Sequence, residues 1–139
     1  MSAAIVDASV AAKFFLQEDG SDLARSLETG YELAAPDLIM AELCNLFWKR
    51  IRRGDMSVSD AQTALDRLPA GLELIQLERL ASLAMEIAAL LDHPAYDCFY
   101  LASAVRHSLP LITADNRLAN LVSKGSFQVR VIRLEQLRS

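Results

Sequence analysis

Four acidic residues stand in this chain where acids are costly. Asp7 ends the apolar run Ala3-Ala4-Ile5-Val6 and precedes Ala8-Ser9-Val10-Ala11-Ala12. Glu42 is the only charge between Leu38 and Trp48, and Asp97 the only charge between Ala95 and Val105. Asp115 closes Leu109-Pro110-Leu111-Ile112-Thr113-Ala114. A carboxylate moved from water into apolar surroundings needs compensation, from a basic partner or from a metal ion. No Lys or Arg clusters tightly around these acids in sequence, so a shared cation is the economical expectation. Carboxylate oxygens suit hard Mg2+ or Mn2+. Two histidines, His93 and His107, are too few and too scattered for a zinc cluster.

The elements that must position these acids follow from the apolar patterning. Residues 3–6, 32–35, 72–77, 109–113 and 127–132 read as short strands. Helical segments lie between them: 9–16, a helix capped by Ser21 to about residue 28, and 37–53 stopped at Gly54. Ser57 opens another, closed by Pro69-Ala70-Gly71; 78–91, 95–107 and 115–123 follow, the last stopped by Lys124-Gly125. This interleaving predicts an α/β fold, a mostly parallel five-stranded sheet flanked by helices, in one domain over residues 1–139.

In open parallel sheets the ligand site lies beyond the carboxyl ends of the strands. Asp7 ends the first strand and Asp115 lies just past the fourth, so both belong to one rim. Asp97 falls in the first turn of its helix, where the helix dipole favours a negative charge. Glu42 sits in the stripe Leu38–Glu42–Leu46, which is expected to face the interior. Asp7 and Asp115 also fit as helix N-caps, and Asp97 as a dipole partner. Glu42 has no such alternative, and it argues most strongly for a site.

With 139 residues and a hydrophobic fraction of 53%, the chain can bury a substantial core. Its mean hydropathy is +0.21. No run is long enough to span a membrane and no signal peptide is read, which together point to the cytoplasm. Cys44 and Cys98 read as small buried hydrophobes in a reducing compartment, with a bridge between them left open. The net charge of −4 argues mildly against nucleic acid, although bases cluster at Lys49-Arg50-Ile51-Arg52-Arg53 and again at Arg130, Arg133 and Arg138. Four acids engaged with a metal would leave the balance near neutral.

At Ile5-Val6-Asp7-Ala8-Ser9-Val10 the chain resembles the opening of PIN-domain proteins, and the VapC-like toxins in particular. The similarity continues through Pro36-Asp37-Leu38-Ile39-Met40-Ala41-Glu42. It is most specific at Tyr96-Asp97-Cys98-Phe99-Tyr100-Leu101-Ala102 and at Thr113-Ala114-Asp115-Asn116-Arg117-Leu118. The four motifs stand in the family's order and cover nearly the whole chain. The resemblance implies a PIN fold and a Mg2+- or Mn2+-dependent endoribonuclease that hydrolyses RNA phosphodiesters, the toxin of a toxin–antitoxin pair. It implies Asp7, Asp97 and Asp115 as metal-binding acids, Glu42 as the helical acid of the catalytic set, and Ser9 and Thr113 as supporting hydroxyls. It further implies an RNA substrate, a cognate antitoxin, a homodimer, and DNA contact only through the antitoxin. Lys13 and Arg117 are candidates for the substrate backbone, with a solvated or structural role the plainer expectation.

Two other functions are compatible with rim acids. A Mg2+-binding phosphoacceptor domain would need an acidic pair after the first strand and a lysine after a late one. Here Ala8 follows Asp7, and Lys124 lies beyond a helix. A non-catalytic interaction module would need none of the four acids.

Overall fold

The computed structural model of the protein describes residues 2–123 and 128–137. Its centre is a five-stranded, wholly parallel sheet in the order β3-β2-β1-β4-β5. The strands are β1 (Ser2–Val6), β2 (Tyr31–Pro36), β3 (Glu73–Ile75), β4 (Leu111–Thr113) and β5 (Val131–Arg133). Residues Ala4 to Val6 and Leu111 to Thr113 are buried throughout, as expected for central strands covered on both faces. Strand addition proceeds from β1 through β2 to β3 on one side and resumes with β4 and β5 on the other. The order therefore reverses between β1 and β4, where a crevice opens at the carboxyl ends of the strands. Register pairs Ile5 with Leu111 and Val6 with Ile112, so Asp7 and Thr113 stand one step further along.

Among the described residues seven α-helices accompany the sheet: α1 (Ala8–Ala11), α2 (Ser21–Gly30), α3 (Leu38–Arg52), α4 (Val58–Gly71), α5 (Ala81–Leu91), α6 (Ala95–His107) and α7 (Asn116–Ser123). Helix α6 packs against β1, β2 and β4 and against α5. It buries Cys98, Tyr100, Leu101, Ala102, Ser103 and Ala104, which locks the helix carrying Asp97 to the central strands. Helix α3 ends where Gly54 adopts a positive φ of 81°, a conformation that glycine takes without steric cost. Among the described residues, no helix is long and apolar enough to cross a membrane.

Several boundaries depart from the sequence reading. Ser21 is not a cap: the N-cap is Gly20, and the buried Ser21 hydroxyl donates to the Leu16 carbonyl at 2.6 Å. Helix α4 does end within the expected Pro69-Ala70-Gly71, at Gly71, with Pro69 inside its last turn while Ala61, Ala64 and Leu68 stay buried. A proline this close to a helix end removes only one interior hydrogen bond, and the buried stripe holds the last turn in place. The final strand begins at Val131; part of the expected 127–132 segment, the stop at Lys124-Gly125 and Arg138 lie outside the described residues. Cys44 is exposed rather than buried, and both cysteines are free.

Candidate active site

The structure places all four acids at the crevice rim, each held by its own protein partner. Asp7, the N-cap of α1, is nearly inaccessible, at 5% exposed. Ser9 Oγ donates to its Oδ1 at 2.5 Å and the Val10 N–H at 3.2 Å, while the Thr113 hydroxyl donates to Oδ2. The same hydroxyls accept from the backbone: Ser9 from the Ala114 N–H across the crevice at 3.0 Å, and Thr113 from the Asp115 N–H within its own turn at 2.9 Å. β1 and the β4–α7 turn are thereby tied together around one carboxylate. Burial pushes the Asp7 carboxyl up to about 6 against these hydrogen bonds, and the charge of Asp115 pushes the same way.

Asp115 caps α7, its Oδ1 accepting from the Arg117 N–H at 2.9 Å. Asp97 Oδ2 accepts from His93 Nε2 at 2.7 Å. The Tyr100 hydroxyl, one turn along α6 from Asp97, donates to Glu42 Oε1. Burial raises the Glu42 carboxyl above the ordinary carboxylate range, opposed by Tyr100 and assisted by the charge of Asp97. The Tyr100 hydroxyl is held far above its usual range by burial and then by Glu42, Asp7 and Asp97, so it stays protonated and acts as a donor. Three of the four acids thus act electrostatically on one buried hydroxyl. The Cys98 thiol, pushed up to about 11 by burial and by Asp97, is inert.

Two features differ from expectation. The interior stripe of α3 is Ile39–Leu43–Phe47, whereas Leu38, Glu42 and Leu46 are half-buried at its margin. Glu42 therefore looks into the crevice edge rather than the core. A basic group also reaches the acids: the Arg117 guanidinium lies 3.7 Å from Asp97 Oδ2 and 3.6 Å from Asp115 Oδ2. With its side chain 75% exposed, this is a movable, solvent-screened cation. Lys13 is structural, with Nζ donating to Glu18 Oε1 at 3.1 Å and to the Asp19 carbonyl at 2.6 Å. In the basic stretch of α3, Arg50 pairs with Glu18 and Arg52 stacks 5.0 Å over the Trp48 ring.

Among the described residues, no three His, Cys, Asp or Glu side chains are gathered as ligands of a single ion. The charge of Asp115 favours protonation of Asp7 and that of Asp97 favours protonation of Glu42, yet each acid points to its hydroxyl, imidazole or guanidinium partner. As donor chemistry the set fits a hard divalent cation: its oxygens are carboxylates, and the mutual repulsion is what such a cation relieves. Asp7, Asp97 and Asp115 are the residues that would hold it. Sequence reasoning missed Tyr100 and His93 as partners. A His four residues before an Asp was visible, but Pro94 between them obscured the helical spacing.

Comparison with known proteins identifies the family and the fold. The PIN domain family model matches residues 4–124. The chain is 32% identical over 119 residues to Ribonuclease VapC3 of Pyrobaculum aerophilum, covering 83% of this chain and 91% of that protein. The chain belongs to the PIN domain family. Its fold is similar to the crystal structure of PAE2754 from Pyrobaculum aerophilum (TM-score 0.71, 20% identity, 98% of this chain and 86% of that one). It is also similar to VapBC2 of Rickettsia felis, crystallised with a DNA fragment from its promoter (TM-score 0.65, 13% identity, 94% of this chain and 98% of that one).

Proposed function

We propose that this protein is a Mg2+- or Mn2+-dependent endoribonuclease and the toxin of a toxin–antitoxin pair. The observation that carries the reading is the grouping of Asp7, Glu42 and Asp97 about the Tyr100 hydroxyl, with Asp115 on the same rim at the β1–β4 switch. The similarity to a protein named a ribonuclease, and to a toxin–antitoxin assembly, supports the substrate class and an antitoxin partner. A homodimer, DNA contact only through the antitoxin, and action in the cytoplasm belong to the same proposal.

Asp7, Asp97 and Asp115 would hold the cation, which when bound acidifies water and neutralises charge developing on the phosphate. The chain's own residues do the rest. Ser9 and Thr113 fix both oxygens of Asp7, so the buried carboxylate cannot rotate away from the crevice. Tyr100 engages only Oε1 of Glu42, which leaves Oε2 as an acceptor for a proton from the attacking water. Burial raises Glu42, which strengthens it as a base relative to an exposed carboxylate. His93 orients Asp97 through Oδ2. Arg117, exposed beside Asp97 and Asp115, is placed to reach a substrate phosphate.

Cleavage of cellular RNA by the purified protein with Mn2+, compared with Asp97→Asn and with wild type in EDTA, tests the reading. Loss of cleavage in both controls is expected, by about a hundredfold or more where a catalytic charge is removed. Cleavage that persists in the variant or in EDTA sinks the assignment. An aspartyl-phosphate adduct after incubation with acetyl phosphate would favour the phosphoacceptor function instead.

A further inference from the structure

Sharing Thr113 with the acid cluster is a cavity of about 170 Å³, lined in part by Lys13, Leu23, Asn116, Arg133 and Leu134. At about 30 Å³ per water it has room for a planar ring rather than a lone ion. One feature sets it apart from an ordinary surface dent. Arg133 Nε donates to Asn116 Oδ1 at 3.2 Å, and its terminal nitrogen donates to Asn120 Oδ1 at 2.6 Å. Both acceptors are neutral amides. Among the described residues no carboxylate comes within ion-pair distance of Arg133. The guanidinium is therefore fixed in place with its charge uncancelled, the state in which arginine recognises a phosphate.

The rest of the lining suits the other parts of a nucleotide. Lys13, held in place by Glu18 and the Asp19 carbonyl, lines the cavity as well. Leu23 and Leu134 supply apolar surface for a base. Gly20, at φ +86°, lets its loop approach closely: a Cβ there would stand 3.3 Å from Leu134 and 3.6 Å from Lys13. Asp19 and Glu135 also line the cavity, and they disfavour a free polyanion more than a single phosphate already fixed by Arg133.

We infer that this cavity binds one nucleotide of the RNA substrate beside the scissile phosphodiester, with Arg133 on its phosphate and the two leucines against its base. The inference rests on the proposed ribonuclease function and names where that substrate is gripped. Anisotropy of a labelled 12-nucleotide single-stranded RNA, titrated in EDTA across a salt series, tests it. Arg133→Gln should weaken binding about tenfold and lower the salt slope by roughly 0.7, the value of one single-strand phosphate contact. Arg133→Lys, which keeps the charge, should restore most of the slope. In amide NMR spectra, uridine 5′-monophosphate should shift Ala114, Asn116 and Leu134 where uridine does not.

Unchanged affinity and slope in Arg133→Gln, with a wild-type melting curve, overturns the inference. So does a variant that binds RNA normally but releases a co-expressed antitoxin, because the cavity is then a protein site. A wild type that cleaves RNA while Arg133→Gln binds it normally removes this inference alone; a wild type that neither binds nor cleaves RNA removes both.

Discussion

Asp7→Asn should make the metal-free protein more stable at neutral pH, although it removes a residue central to the site. In the folded state burial lifts the Asp7 carboxyl from 3.8 to about 6. At ~1.4 kcal/mol per pH unit, that displacement opposes folding by about 3 kcal/mol whenever the group is ionised in both states. The sign follows from the raised value. Below 3.8 the group is neutral in both states and costs nothing, and stability is lost as pH rises through about 6. From pH 5 to pH 7.5 this one group removes about 1.4 kcal/mol from wild type and nothing from the variant. Asn keeps the shape and can both accept from and donate to the Ser9 and Thr113 hydroxyls, so a gain of about 1–3 kcal/mol is expected at pH 7.5. For a chain of this size that is a rise in Tm of roughly 3–12 °C. Thermal denaturation of both proteins in EDTA at pH 5 and pH 7.5 measures it. A variant less stable than wild type at pH 7.5, or a gap that fails to narrow at pH 5, refutes the reasoning. Saturating Mn2+ should reverse the order, because it stabilises wild type by mass action and has lost a ligand in the variant.

Thr113→Val removes the donor to Asp7 Oδ2 and the acceptor of the Asp115 N–H together. Urea denaturation at pH 7.5 should show a loss of about 2–4 kcal/mol, because a buried charged acceptor is left short, and a smaller loss at pH 5, where Asp7 is protonated first in the folded state. An equal loss at both pH values would mean that Thr113 acts through packing alone. Arg117→Ala should tighten Mn2+ binding severalfold by calorimetry, since an exposed pair of this kind is worth up to about 1 kcal/mol and competes with the ion for Asp97 and Asp115. Weaker binding in the variant would show instead that the guanidinium organises the site.

What could be read from the sequence was whatever depended on residue type and local order. Asp7 and Asp115 were legible because an apolar run ending in an acid marks a strand end, and strand ends share a rim in a parallel sheet. Glu42 was legible as an anomaly but not as a direction. Its stripe differs from the buried Ile39–Leu43–Phe47 stripe by one residue, a rotation of about 100° around the helix. The wholly apolar stripe takes the core, and the same phase leaves Cys44 in solvent. The partners were illegible because tertiary contacts choose them: Tyr100 is 58 residues from Glu42, and Thr113 is 106 from Asp7. One of these distant pairings follows from the topology. The pairing of Val6 with Ile112 fixes β1 against β4, and extending it by one residue brings Thr113 to Asp7. Arg117 shows the opposite failure. It stands two residues from Asp115, yet its reach to Asp97 required knowing that α6 and α7 begin on the same rim. An exposed guanidinium already stands beside two of the acids and offsets part of their charge, so the cost of stranded carboxylates does not by itself demand a metal. The oxygen donor set and the three carboxylates acting on Tyr100 are what favour a divalent cation, and competition between Arg117 and Mn2+ for Asp97 and Asp115 measures that preference.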